Sequence, residues 1–313
     1  MRVIYMGTPA LSVHPLERLV ESGYQVVGVY TQPDKPAGRG RNVAASPMKI
    51  YAEEQGLRVL QPSSLRYPDA DREIADLKPD IIIVAAYGRI LPKSVVQLPR
   101  WGCVNIHPSL LPRHRGPSPV AFTLLEGDEV AGVTLMLLDE GMDSGPLIAQ
   151  EEEAILPQDT VGTLTDRLFR EGANLLVKSL PLYTQGGLLP RPQDATQVTY
   201  ARKLTKEDGV IQWGLSAVSL WHQIRAYSPW PGSHTRWRGS LLKVLDAVPL
   251  TGDGSRTPGE VMLLESGGMA PLGVVTGDGV LGLKRIQLEG KKDVDARDFL
   301  MGHAGFVGST LPS

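Results

Sequence analysis

The sequence predicts an α/β chain of two domains, a mostly parallel sheet followed by a small β-barrel, and three observations carry this prediction. Through the first 185 residues, short apolar runs alternate with stretches of helical spacing, the pattern of strand–helix–strand units. After residue 203 the pattern changes to one helix and then many short strand-like runs divided by glycine turns, as in a small barrel. Between them, residues 186–203 open with Gly186-Gly187, carry Pro190 and Pro192, and read as an extended linker. The expected domains are therefore 1–185 and 204–313.

The first domain opens with a buried strand, Arg2 to Met6, a Gly7-Thr8-Pro9 turn, and a helix whose inward positions are Val13, Leu16, Leu19 and Val20. Gln25 to Thr31 is the second strand. This βαβ start is Rossmann-like, yet a dinucleotide fingerprint needs three spaced glycines at the first turn and only Gly7 is there, so NAD is not expected. The next segment, Gln32 to Ala45 (QPDKPAGRGRNVAA), is longer than a doubly wound sheet needs. It carries Lys35, Arg39 and Arg41 against the single acid Asp34, which marks it as a candidate binding loop. Ser46-Pro47 opens a helix, because serine can cap free amides and proline suits the first turn.

Arg58 to Leu60 is a brief strand, Asp69 to Leu77 a helix, and Asp80 to Ala86 a central strand buried on both faces. Its end, Ala86-Tyr87-Gly88, suits a backbone wall against a flat ligand. Val104 to His107 ends another buried strand, where alternation puts Cys103, Asn105 and His107 on one face and Val104 and Ile106 on the other. Pro108 stops the strand, and Ser109-Leu110-Leu111-Pro112 makes a stiff turn at the sheet's carboxyl edge, where open α/β sheets bind ligands. Pro119 to Leu125 is helical. The apolar run Val133 to Leu138 ends in a loop, 139–145, in which glycines flank Asp143 and let its carboxylate face His107. Thr160 to Leu182 is a long amphipathic helix that turns Val161, Leu164, Leu168, Leu175 and Leu176 inward.

In the second domain, Leu215 to Ala226 is a helix that ends before Pro229-Trp230-Pro231. Strands follow at His234 to Arg238, Leu241 to Val248, Glu260 to Leu264, Gly273 to Thr276 and Val280 to Ile286, with turns such as Gly277-Asp278-Gly279. A small barrel of this kind is OB-like, a class that includes nucleic-acid binders. Arg236, Arg238, Lys243, Lys284, Arg285, Lys291 and Lys292 are its candidate phosphate contacts.

Composition narrows the function. The chain has 313 residues, 42% hydrophobic and 21% charged, which is ordinary for a globular protein and excludes disorder. A net charge of −2 excludes a global basic field. One cysteine excludes intrachain disulfides and a thiolate zinc cage, and the six histidines include no His-x-x-x-His pair, so no metal is expected. With no apolar run of membrane-spanning length, the expectation is a cytoplasmic, monomeric protein that binds no membrane.

An amide, an imidazole and a carboxylate at adjoining strand ends suit a reaction that builds charge on a carbonyl oxygen and moves a proton. Asn105 and His107 can donate to the oxygen, and Asp143 beside the ring should favour the cationic imidazole. Cys103 offers a thiol alternative, but it sits two residues back, about 7 Å deeper in the sheet.

Asn-x-His-Pro-Ser-Leu-Leu-Pro followed by a Gly-x-Asp-x-Gly loop resembles the signature of formyltransferases that use 10-formyltetrahydrofolate. In chain order, TQPDKPAGRG, VAAYGRILP, NIHPSLLPRHRG, VTLMLLDEGMDSG, IQWGLSA, RAYSPWPGS and TGDGVLGLKRIQLEGKK resemble the methionyl-tRNA formyltransferase family over nearly the whole chain. Gly116-Pro117-Ser118-Pro119 departs from the family's usual Gly-Ala-Ala-Pro. The resemblance implies that Asn105, His107 and Asp143 are the catalytic trio and that Ser109 to Pro112 contact the folate. It implies that initiator methionyl-tRNA is the acceptor, with the Lys35–Arg39–Arg41 loop reaching its acceptor end. A relative acting on a nucleotide sugar or a purine precursor would share the trio, whereas a non-enzymatic tRNA-binding module would have no use for it.

Overall fold

The computed structural model describes residues 1–37, 42–66, 70–252, 256–264, 269–303 and 305–313. The chain forms two compact units, the first comprising residues 1–119, 130–154 and 165–201. In chain order its region supplies β1 (Arg2–Gly7), α1 (Val13–Glu21), β2 (Gln25–Tyr30), β3 (Lys35–Ala37), β4 (Asn42–Ala44), α2 (Pro47–Glu54), β5 (Val59–Leu60), α3 (Ala70–Asp76), β6 (Ile81–Ala85), α4 (Lys93–Val96) and β7 (Cys103–His107). There follow β8 (Val130–Leu137), β9 (Leu147–Ala154) and α6 (Val161–Thr184), while α5 (Pro119–Leu125), between β7 and β8 in the chain, falls in the second unit from residue 120 on.

Seven strands form one sheet in the order β5-β2-β1-β6-β7-β8-β9. The first five run parallel, while β8 and β9 are antiparallel. Alternation sends Val3, Tyr5, Val104 and Ile106 to one face, against Leu16 and Leu19 of α1, Met48 of α2, and Leu176 and Leu180 of α6. The other face carries Ile4, Met6, Ile82 and Cys103, packed with Ile74 of α3 and Val95 of α4. With both faces covered, β6 is buried along its whole length. The site must therefore lie where the strands end.

Ser46 caps α2 as expected, its hydroxyl accepting from the Lys49 amide at 3.1 Å with Pro47 in the first turn. The candidate binding loop, Gln32 to Ala45, contains a small ribbon in which β3 and β4 pair from Lys35 with Ala44 to Ala37 with Asn42. Strands of three residues leave no alternation to read. Arg39 and Arg41 lie outside the described residues. Strand β9 carries no strand signal in its sequence, LIAQEEEA, which ends in three consecutive glutamates before Ala154. Its exposed glutamates follow from its place at the sheet's edge, where charge blocks further pairing.

The second unit comprises residues 120–129, 155–164 and 202–313. It holds α7 (Ala217–Ala226), β10 (Ser233–Trp237), β11 (Ser240–Leu250), β12 (Val261–Leu263), β13 (Leu272–Val275), β14 (Val280–Leu288), β15 (Val294–Asp295) and α8 (Ala296–Gly302). The strands form an antiparallel sheet, β10-β11-β14-β13-β12, with β15 added to β14. Register shifts around Asp246 bend β11, as bulges do. The core combines Leu220 and Ile224 of α7 with Trp237, Leu242, Val244, Leu281, Ile286, Phe299 and Phe306. Helix α8, absent from the sequence reading, is only seven residues long and is capped by the Asp295 carboxylate, which accepts from the Arg297 amide at 2.9 Å. Among the described residues, no helix is long and apolar enough to cross a membrane.

Candidate active site

Strand β7 places Asn105 between Val84 of β6 and Met136 of β8, two residues before His107. Asn105 is half-buried, and no hydrogen bond among the described residues uses its side-chain amide, which leaves two N–H groups to donate at the strand's end. His107 is only 4% exposed. Its Nε2 lies 3.1 Å from the His114 carbonyl oxygen. A carbonyl only accepts, so Nε2 carries the proton, and in the neutral ring Nδ1 bears the lone pair. Nδ1 lies 3.7 Å from Oδ2 of Asp143. A proton taken up at Nδ1 would therefore face the Asp143 carboxylate.

Asp143 is held from several sides. Oδ2 accepts from the Gly116 amide at 2.8 Å. Within its loop, the Ser144 hydroxyl donates to Asp139 at 2.8 Å, and the Gly141 amide donates to the same carboxylate at 3.0 Å. Asp143 itself takes φ of 48°, in the left-handed region that non-glycine residues seldom adopt. Ala86 (49°), just after β6, and His114 (59°), seven residues past β7, share that strain, the kind of clustering seen where a site is over-determined by its surroundings.

The sequence leads one to expect a cationic ring, and here the structure differs. Burial pushes the His107 pKa below the usual histidine value, and this outweighs the opposing pull of Asp143 and the His114 carbonyl; nearby His114 lowers it further. A carboxylate 3.7 Å away does not repay the loss of water around the ring, so His107 is neutral near pH 7.

Residues 1–180 match the formyl transferase family, and residues 203–304 match the formyl transferase C-terminal domain. The chain belongs to the formyl transferase family. A methionyl-tRNA formyltransferase of Chloroflexus aurantiacus is 46% identical over 302 residues, covering 96% of this chain and 97% of that one. One from Dehalococcoides mccartyi is 45% identical over 313 residues, 99% of this chain and 98% of the relative. HypX from Aquifex aeolicus, solved in complex with tetrahydrofolic acid, shares the fold at a TM-score of 0.63 and 19% identity, over 98% of this chain and 48% of HypX.

In this formyl transferase the segments expected at the donor site divide into exposed and buried parts. Ala86 and Gly88 are exposed at the end of β6, whereas Tyr87 is buried at 1% and its carbonyl accepts from Gln32 at 3.0 Å. Leu110 and Pro112 are half-exposed. Ser109 and Leu111 are buried, and they shape the turn through their backbones: the Ser109 carbonyl accepts from the Thr134 hydroxyl at 2.6 Å, and the Leu111 carbonyl accepts from Gln150 at 2.9 Å. Among the expected basic contacts, Lys35 donates to the Gln32 side chain at 2.6 Å. Lys284 pairs with Asp246 at 3.3 Å and Arg285 with Asp293 at 2.5 Å, while Arg238 lies over the Trp237 ring at 4.8 Å. Arg236, Lys291 and Lys292 are exposed. Register puts Lys243 opposite both His234 and Gln287, so these polar side chains and Arg236 share the sheet face opposite the core.

Cys103 faces Val95 and Val96, its Sγ 3.7 Å from each carbonyl, and burial pushes its thiol pKa up to about 12. A thiol held protonated is a poor nucleophile. Cys103→Ala is accordingly expected to keep turnover within about twofold of the parent while losing a little stability, as small buried truncations do; a steady-state rate near zero in a folded variant would restore the thiol route.

The sequence reading missed Gln193 and Thr199. The stretch expected to be an extended linker is instead pinned to the first unit: Arg191 exchanges backbone bonds with Leu147 of β9, and the Arg115 amide donates to the Thr199 carbonyl at 2.9 Å. The available signal was a run of amide and hydroxyl side chains, which a purely flexible linker does not need.

Proposed function

We propose that the protein transfers a formyl group from 10-formyltetrahydrofolate to the α-amino group of methionyl-initiator tRNA, as a cytoplasmic enzyme of two domains. The observation that carries this reading is identity of 45–46% with methionyl-tRNA formyltransferases across both domains. Exposed backbone at Ala86 and Gly88 and the unspent amide of Asn105 fit a flat donor lying along the strand ends. The new bond joins the amine nitrogen to the formyl carbon, and the bond from that carbon to the donor nitrogen breaks. Asn105 donates to the oxygen on which charge develops. Neutral His107 and Asp143 accept the amine's proton between Nδ1 and Oδ2, and return it towards the leaving nitrogen. Residues 1–185 carry this chemistry. The C-terminal sheet, taken as an OB-like barrel, holds the tRNA through Arg236, Lys243 and the neighbouring cations, with Lys35, Arg39 and Arg41 at the acceptor end.

The test offers labelled formyl donor together with methionine-charged initiator tRNA, charged elongator tRNA, uncharged tRNA, a nucleotide amino sugar and a purine-precursor amine. Formylation confined to charged tRNA supports the reading, and turnover of either small amine in its place refutes it. With this assay, Arg39→Leu should lower kcat/KM for initiator tRNA about tenfold or more, and Arg39→Lys less, because only arginine offers a planar fork of donors. Unchanged efficiency and unchanged preference over elongator tRNA would remove the loop from tRNA recognition.

A further inference from the structure

The carboxamide of Gln193 holds together three segments that no single element connects. Its Nε2 donates to the carbonyls of Asp143 and Gly145, both at 2.8 Å. Its Oε1 accepts from Arg115 Nε at 3.0 Å and from the terminal nitrogen at 2.7 Å. Arg115 is itself buried, and its backbone is paired with Thr199 and Ala201. Six residues on, the Thr199 hydroxyl accepts from the His114 amide at 2.8 Å, and His114 is the residue whose carbonyl fixes the His107 tautomer. Both walls of the His107–Asp143 pair are therefore fastened to one stretch of chain, residues 193–201.

A bond to the Asp143 carbonyl matters because of that residue's backbone. At φ of 48° an aspartate relaxes to negative φ unless its peptide groups are held, and relaxation would swing the carboxylate away from Nδ1. Gln193 holds the peptide after Asp143 and the one after Gly145, on either side of Ser144. Gly116 holds the carboxylate itself.

We propose that Gln193, with Thr199, is a positioning residue for formyl transfer: it locks the Asp143 loop and the 113–116 segment so that the Asp143 carboxylate stays against Nδ1 of His107. This rests on the formyl-transfer reading of the site. Neither residue touches the reacting atoms; each acts through Asp143 or His114.

Gln193→Glu is the diagnostic change, since it keeps an acceptor for Arg115 but replaces the donating nitrogen with an oxygen that faces two carbonyls. Thr199→Val removes the hydroxyl at constant shape, and Thr199→Ser restores it. In Gln193→Glu, kcat should fall about 10–100-fold, the cost of misplacing a catalytic group by about 1 Å. KM values for donor and tRNA should stay within about twofold, and Thr199→Ser should recover most of the activity lost in Thr199→Val. A loss carried by KM, or no loss, overturns the assignment.

A second readout does not depend on turnover. The titratable groups acting on the His107 ring are Asp143, which raises its pKa, and His114, which lowers it. Withdrawing Asp143 from a ring that stays buried moves the His107 titration, followed by imidazole NMR in the unliganded protein, to lower pH. An unchanged or upward midpoint in folded Gln193→Glu overturns the proposal even if the protein formylates tRNA. A downward midpoint in a protein without formyl transfer activity would instead preserve the positioning and sink the functional reading.

Discussion

His107→Ala and Asp143→Asn are each expected to lower kcat by at least about a hundredfold, with donor affinity little changed, the scale of lost proton transfer and oxyanion stabilisation. The two side chains sit at the end of β7 and on the 139–145 loop, 3.7 Å apart, and His107 is almost fully removed from water. Burial keeps its pKa below the ordinary histidine value, so the ring is neutral, the form that the proposed transfer requires of a proton acceptor. The pH dependence follows from that sign. Activity should be full above the usual histidine value of 6.5 and fall as pH drops through the lowered value, where the ring is already charged before substrate binds. Stability carries the same mark. Below 6.5 the unfolded chain takes up a proton at His107 that the folded one resists, so the native state loses stability between 6.5 and the lowered value. Replacing the ring should flatten that part of the stability curve. Steady-state kinetics and denaturant melts across pH 5 to 8 check both, and near-normal turnover in either variant would end the assignment.

Where an element contributes to the core along its length, the sequence shows it plainly. Ile81 to Ala85 is apolar without a break because β6 is covered on both faces, and β7 keeps Cys103, Val104 and Ile106 apolar for the same reason, with half-buried Asn105 interrupting the run near the strand's end. That Asn105 and His107 leave β7 on one side and that His107 meets Asp143 was legible from the strand alternation and from the glycines around Asp143. The charge state of His107 was not legible, since it depends on how much water the fold removes, and no neighbouring letter encodes that. Gln193 was illegible for a related reason. Its bonds cross 48 to 78 residues of chain to reach backbone carbonyls and Arg115, and a backbone acceptor leaves no trace in composition. Strand β9 hid behind its glutamates, as an edge strand does.

Gly145→Ala should be among the most damaging single changes in the chain, although it adds one methyl group. A β-carbon built there would sit 1.8 Å from the Leu137 carbonyl oxygen and 2.9 Å from its carbon. Both are backbone atoms of β8, a strand paired on both edges, so neither can rotate aside. The loop has to move instead, and it carries Asp143, the carbonyl that Gln193 holds and the carboxylate that Gly116 holds. Overpacking of this kind costs about 1–3 kcal/mol of stability, and a shift of Asp143 by about 1 Å costs about a hundredfold in kcat. Gly141→Ala is the matched control. Its β-carbon would also meet an atom too closely, but that atom is the Ser144 hydroxyl, which can turn away by changing rotamer. Thermal melting and initial rates on the pair separate the causes: Gly141→Ala gives up only the exposed Ser144–Asp139 bond and should lose much less of either than Gly145→Ala, which should lose both stability and turnover. If the two variants behave alike, the close approach of the Asp143 loop to β8 does not set the position of the carboxylate.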